Sequence, residues 1–181
     1  MNINKTLFSI RRVMPSPWGE RIWEVEPGEF YRSRFLYSGE LEELHDKYNL
    51  KSVVSLLGEY PNAEWLEEEM KTCRRLGMGF YTCNAKDFKK LINVYKKCEP
   101  PILVHCLYGS DRSGIASFIY LRFLRGKPHE EAKRQLSVKY GHFGIFHQDY
   151  GELLERMENE RENLKDMFRE PCVGRFNASA V

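Results

Sequence analysis

The 181-residue chain has no strong excess of either charge: 28 Lys and Arg face 26 Asp and Glu, for a net charge of +2. With acids and bases interleaved, it has no basic stripe of the kind that nucleic-acid binding requires. Met1 to Val13 contains no apolar run long enough for a secretory signal or a membrane span, so the chain reads as one without either. Internal repeats, low-complexity tracts and linkers are absent, which removes solenoids and multidomain arrays. Its five cysteines (Cys73, Cys83, Cys98, Cys106 and Cys172) are odd in number and show neither paired zinc spacing nor a disulfide framework. Reduced thiols in a cytoplasmic setting are the expectation, with no metal.

At 42% apolar residues the chain can bury one good core. Residues 1–19, with Pro15 and Pro17, read as an extended lead-in, 20–169 as the folded domain and 170–181 as a frayed tail. Ile22 to Val25 alternates and Pro27-Gly28 signals a turn before Phe30-Tyr31-Arg32, which predicts a hairpin. Helices are predicted over Glu40–Tyr48 (capped by Ser38 and ended by Asn49), Ala63–Leu76 (stopped by Gly77), after Asp87, over His129–Tyr140, and over Asp149–Phe168. Strands are predicted at Ser52–Leu57, the expected centre of the sheet, at Phe80–Cys83, and just before Cys106. Strands alternating with helices predict an α/β fold with a mainly parallel central sheet.

The most informative stretch is His105-Cys106-Leu107-Tyr108-Gly109-Ser110-Asp111-Arg112-Ser113-Gly114. It follows the apolar run Ile102-Leu103-Val104 and precedes Ile115 to Leu121, whose composition suits a buried helix. Strand, tight loop and helix aim successive amides and a helix N-terminus at one point, which makes an anion site. A thiol opens the loop and a guanidinium able to grip two phosphate oxygens closes it. The thiolate is the reactive form of cysteine, and amides, a helix N-terminus and a guanidinium all favour it. Cys106 is therefore the candidate nucleophile and Arg112 the candidate clamp on the equatorial oxygens. Gly109 and Gly114 read as backbone devices that permit close approach to phosphate.

This segment resembles the signature loop of the cysteine-dependent protein-tyrosine phosphatase superfamily, His-Cys-x-x-Gly-x-x-Arg-Ser/Thr-Gly. The order of the Pro-Gly-x-Phe-Tyr-Arg-Ser opening, the Val-Val-Ser-Leu strand and the Gly-x-x-Phe-Tyr strand is similar to the small atypical dual-specificity branch, over roughly residues 20 to 150. The resemblance implies a cysteinyl-phosphate intermediate and no cofactor. It gives His105 a supporting role in organising the loop, although a satisfied core histidine reads almost the same. It makes Ser113 a donor to the departing sulfur, alongside a capping role. Leu107, Tyr108, Gly109, Ser110, Asp111 and Arg112 would form the phosphate-binding loop.

The family's general acid, an Asp on a mobile loop roughly thirty residues before the cysteine, has no Trp-Pro-Asp counterpart here. Asp87, nineteen positions before Cys106, and Asp111 inside the loop are the two candidates, with a slight preference for Asp87. Their plainer readings are a helix N-cap and a loop-stabilising carboxylate.

Within the loop, Leu107, Tyr108 and Ser110 stand where enzymes of phosphoinositides often carry lysines, and Asp111 adds negative charge. A phosphotyrosine protein, packing its ring on Tyr108 or Phe80, is the expected substrate, with phosphoserine and phosphothreonine also admissible. Arg32, Arg34, Lys86 and Lys89 could supply charge from outside, which keeps a phosphoinositide or inositol phosphate as the alternative. A catalytically weak phosphate-binding module is the second alternative. The partner is thus a phosphorylated protein or small phosphorylated molecule, met by a monomer. A disulfide from Cys83 to Cys106 could protect an oxidised nucleophile, against a plainer reading of Cys83 as a small buried residue.

Overall fold

A computed structural model describes residues 22–58, 60, 62–142 and 148–161. The lead-in over residues 1–19, the C-terminal tail with Cys172, and the predicted helix positions Leu164 and Phe168 lie outside the described residues.

Five strands, β1 (Ile22–Glu26), β2 (Phe30–Arg34), β3 (Ser52–Ser55), β4 (Gly79–Thr82) and β5 (Ile102–Cys106), form one sheet in the order β1-β2-β5-β3-β4. β1 and β2 make the predicted antiparallel hairpin. Its turn depends on Gly28, which sits at φ +67° and donates its N–H to the Glu24 carboxylate at 2.8 Å. The other three pairings, β2 with β5, β5 with β3 and β3 with β4, are parallel. The centre of the sheet is β5, the strand that ends in Cys106, and the run expected to be central, β3, lies beside it.

Every residue of β5 is buried, as a parallel strand covered on both faces requires. Period-two alternation sends Ile102, Val104 and Cys106 to one face and Leu103 to the other. The first face packs under α3 (Phe88–Lys97), α4 (Asp111–Ile119) and α6 (Gln148–Asn159) through Leu91, Phe118, Leu153 and Met157. The second packs under α1 (Ser38–Tyr48) and α2 (Glu64–Arg75) through Leu41, Leu44 and Cys73. Phe80 also lies with this second group, on the face opposite Cys106, so it is not placed to receive a substrate ring at the thiol, as the sequence suggested it could.

Most helix ends follow the chemistry of the sequence, but Ser38, the expected cap of α1, is its first helical residue. Tyr37 is the cap, its N–H donating to the Glu40 carboxylate at 3.1 Å. Asn49 closes α1 at φ 52°, and Gly77 follows α2 at φ +71°. Asp87 caps α3 by accepting the Lys90 N–H at 3.1 Å. α4 runs on into a π-helical turn, Tyr120–Leu124. The single helix expected over His129–Tyr140 is instead a short α5 (His129–Lys133) and a separate 3-10 turn, Val138–Tyr140. The physical reason lies in the core: the Gln135 carbonyl and side chain turn inward to accept the Arg32 guanidinium at 2.6 and 3.1 Å, and so leave the helical path.

Candidate active site

The β5 strand ends on Cys106, the loop 107–110 turns back, and α4 begins at Asp111. The Cys106 residue is only 3% exposed. Its Sγ accepts the Gly109 N–H at 3.3 Å and lies 3.7 Å from Ser113 Oγ. A sulfur held by an amide, a hydroxyl and a helix N-terminus is surrounded by groups that stabilise negative charge. Arg112, at the far end of the loop, donates from Nη1 to the Leu56 carbonyl at 3.4 Å, at the tip of β3. The five loop residues between Cys106 and Arg112 therefore return the guanidinium to the thiol's end of the sheet.

Gly109 is required by its surroundings. It adopts φ +76°, and a Cβ there would stand 2.7 Å from the Arg34 backbone nitrogen and 2.9 Å from the Ser33 carbonyl carbon. Both atoms belong to β2, which is hydrogen-bonded on each side and cannot retreat. Gly114 is similarly close to Gln135, with a Cβ position 2.9 Å from that carbonyl oxygen. Leu107 accepts the Phe35 N–H at 3.4 Å, and Tyr108 is the exposed member of the loop, 57% accessible.

Beneath the loop lies a residue whose part the sequence reading missed. Arg32 is fully buried and donates from Nη2 to the carbonyls of Gly109 at 2.7 Å and Ser110 at 2.6 Å, and to Ser113 Oγ at 3.3 Å. Its other amine holds Gln135, and its central carbon Cζ lies 4.6 Å from the centre of the Tyr140 ring. Burial pulls the guanidinium down to about 10, with Cys106, Tyr140 and Asp111 opposing that shift, so it stays cationic at neutral pH. The only sequence signal was its place in the Phe-Tyr-Arg-Ser opening, which did not reveal what it holds.

His105 points to the other face, where its Nε2 comes within 2.7 Å of Glu69 Oε1 on α2, both side chains being about 1–2% exposed. The approach is close but poorly aligned, since neither ring nitrogen meets hydrogen-bond geometry. Its carbonyl accepts the Leu56 N–H at 2.9 Å, which ties β5 to the end of β3.

The two acid candidates differ in setting. Asp87 is exposed, caps α3, and lines a groove with Lys86, Lys89, Arg156 and Glu160 that does not include the loop residues. Asp111 is in the loop, with Oδ2 accepting the Ser110 hydroxyl at 3.3 Å and Oδ1 lying 2.7 Å from His142 Nδ1. His142 had no local sequence signal. Tyr150, on α6, also reaches this corner: its ring is 6.0 Å from that of His142. Burial pushes the Tyr150 phenol up to about 12, and Asp111 and Cys106 add to the rise while Arg112 opposes it.

The four basic residues proposed to add charge from outside the loop are already engaged. Arg32 is beneath the loop, Arg34 pairs with Glu40 at 2.8 Å, Lys86 with Asp149 at 2.8 Å and Lys89 with Glu160 at 2.9 Å. Cys83 is not on the strand beside β5, as expected from the sequence. It follows β4, with β3 lying between. Two strand spacings, roughly 9.5 Å, exceed the Cα reach of a disulfide. Burial also pushes its thiol up to about 11.

A family model described as the tyrosine phosphatase family matches residues 51–134, which include the whole loop. No curated protein matches the sequence significantly. Among solved structures, P. aeruginosa TpbA in complex with pTyr is 16% identical, with 84% of this chain and 99% of that chain covered and a TM-score of 0.59. The core catalytic domain of the PP-IP phosphatase SIW14 from S. cerevisiae is 20% identical over 87% of this chain and 97% of that one, with a TM-score of 0.56. PTPMT1 in complex with PI(5)P is 13% identical over 78% and 99%, also at 0.56. These likenesses establish the fold. The family match spans the signature loop on which the resemblance to cysteine-dependent phosphatases rests.

Proposed function

We propose that this tyrosine-phosphatase-like chain is a phosphomonoester hydrolase that works through a cysteinyl-phosphate and acts on phosphotyrosine in proteins. The activity rests on one observation: the Cys106 sulfur is held by the Gly109 amide and beside Ser113, at the N-terminus of α4, with Arg112 closing the same loop. The thiolate attacks phosphorus in line with the leaving oxygen. Arg112 and the loop amides hold the equatorial oxygens, since positioning and charge stabilisation dominate phosphoryl transfer. Ser113 stabilises the sulfur as it departs when water attacks the intermediate.

Among the structural neighbours, one is a complex with pTyr and another a complex with PI(5)P, so likeness does not choose between them. The charge around the loop supports phosphotyrosine. A substrate with several phosphates needs countercharge, and Arg34, Lys86 and Lys89 are each paired with a carboxylate while Arg32 is buried under the loop. The loop's own extra charge is the negative one of Asp111. The exposed Tyr108 ring offers an aromatic substrate a stacking surface.

The test is a panel of a phosphotyrosine peptide, a phosphothreonine peptide, a phosphoinositide and an inositol phosphate, run with chelator and with Cys106→Ser in parallel. Turnover that vanishes in the serine variant and favours the phosphotyrosine peptide supports the reading. Preference for a polyphosphorylated substrate would replace the substrate class and leave the mechanism.

A further inference from the structure

The pair formed by Asp111 and His142 joins two residues 31 positions apart at 2.7 Å, with side chains 24% and 8% exposed. Asp111 is engaged through both oxygens, Oδ1 with His142 and Oδ2 as acceptor from the Ser110 hydroxyl. An ionised carboxylate is an acceptor only, whereas a carboxylic acid must keep one oxygen to donate from. The arrangement suits a carboxylate that orients a partner better than one that gives up a proton. Across the contact, Nδ1 is the ring nitrogen turned to Asp111, and Nε2 is the one on the opposite side of the ring.

The fold holds His142 at the phosphate loop by a second route. Its N–H donates to the Ser137 carbonyl at 3.1 Å, two residues after the Tyr140 ring that Arg32 covers. The same guanidinium grips Gly109 and Ser110. One buried cation therefore fixes both the loop and the segment that delivers His142. On the other side stands Tyr150, whose phenol is near enough to respond to Asp111, Arg112 and Cys106. Among the described residues, the charged and titratable groups around the pair include Arg32, Arg112, Cys106, Tyr140 and, from α6, Tyr150 with Asp149 next to it and Lys86 against its ring.

We infer that His142, oriented by Asp111, is the proton donor to the leaving oxygen, in place of an acid upstream of the cysteine. This rests on the phosphomonoesterase reading. In the first step the Cys106 thiolate forms the S–P bond, the bond from phosphorus to the leaving oxygen breaks, and the Nε2 proton passes to that oxygen, releasing the alcohol or phenol. In the second, water attacks phosphorus, neutral Nε2 takes a proton from it, the P–S bond breaks, and the thiolate and imidazolium are restored as inorganic phosphate leaves.

The experiment compares phenyl phosphate, a poor leaving group, with 4-nitrophenyl phosphate, a good one, in wild type, His142→Asn, Asp111→Asn and Cys106→Ser. The amide of His142→Asn can still donate to Asp111 but carries no titratable nitrogen. We expect it to lose on the order of 10²-fold on phenyl phosphate and less than tenfold on 4-nitrophenyl phosphate. Asp111→Asn, which still accepts from Nδ1, should lose less than His142→Asn on phenyl phosphate. His142→Gln provides a second variant should the asparagine not fold. Wild-type leaving-group dependence in both His142 variants, or a larger loss in Asp111→Asn, overturns the inference and leaves the hydrolase reading intact. No wild-type turnover above Cys106→Ser would overturn both.

Discussion

Arg32 lies directly under Gly109, donating from Nη2 to its carbonyl at 2.7 Å, although 77 residues separate them. The contact holds the phosphate loop from below, in a place closed to solvent. A lysine would keep the charge but lose the fork, and a single ammonium cannot serve both Gln135 and the loop carbonyls. Arg32→Lys should therefore lower stability by about 2 kcal/mol, from lost charged hydrogen bonds. For a chain of this size that is a fall of roughly 4–8 °C in Tm. It should also reduce kcat/KM at least tenfold on 4-nitrophenyl phosphate, because the loop amides lose their alignment. Thermal unfolding and initial rates on the same preparation check both.

Gly109→Ala should be worse than its size suggests. Left-handed backbone costs an L-residue about 1–2 kcal/mol, and the new methyl meets the β2 backbone at 2.7 and 2.9 Å. Gly28→Ala is the control, since it has φ +67° but nothing within 4 Å of its Cβ position. The control should lose about 1 kcal/mol and keep its activity, whereas Gly109→Ala should lose both stability and turnover. Equal behaviour of the two would mean that close packing at Gly109 does not matter.

Ser113 lies 3.7 Å from the Cys106 sulfur and also receives Arg32 at 3.3 Å. If its hydroxyl eases departure of the sulfur, Ser113→Ala should slow the second step more than the first. The expected sign is a burst of product followed by a slower steady rate, with one phosphoryl group added to the intact mass on rapid quenching. A uniform slowing without phosphoenzyme would place its role in loop structure alone.

Peroxide treatment followed by disulfide mapping should yield no peptide linking Cys83 to Cys106. β3 separates the two strands, and burial keeps the Cys83 thiol protonated at neutral pH, with its value pushed up to about 11. Recovery of that linked peptide would require the sheet edge to open.

Acid should loosen α6. Hydrogen bonding to Arg122 holds Glu158 below the usual carboxylate range, with His129 reinforcing the shift and burial opposing it. The contacts are 2.6 and 3.0 Å to Arg122 and 3.0 Å to His129. A carboxylate lowered in the folded state contributes fully above its ordinary value of 4.5 and loses that contribution as pH falls through its lower folded value. The Tm gap between wild type and Glu158→Gln should thus stay level from pH 7 to about pH 5 and close below pH 4.5. A gap that widens on acidification would reverse the assignment.

The amino-acid sequence alone determined what depends on neighbours along the chain. Pro27-Gly28 makes the hairpin turn, Asn49 and Gly77 close their helices, and the apolar run before Cys106 makes a buried strand, because each effect acts within a few residues. The signature loop was legible for the same reason: His105 to Gly114 is one continuous segment, and strand, loop and helix set the order of its thiol and guanidinium, although Arg32 and Leu56, distant in sequence, hold the loop in place. The tertiary structure decided what couples distant segments. It set β3 between Cys83 and Cys106, since strand order is a matter of packing. It turned Gln135 out of the helix, because a guanidinium buried 103 residues earlier needed acceptors. It also brought His142 to Asp111, a pairing that no local spacing encodes. Local periodicity records which face of a segment is buried, whereas a polar partner across the core leaves no mark on either segment until the chain has closed around both.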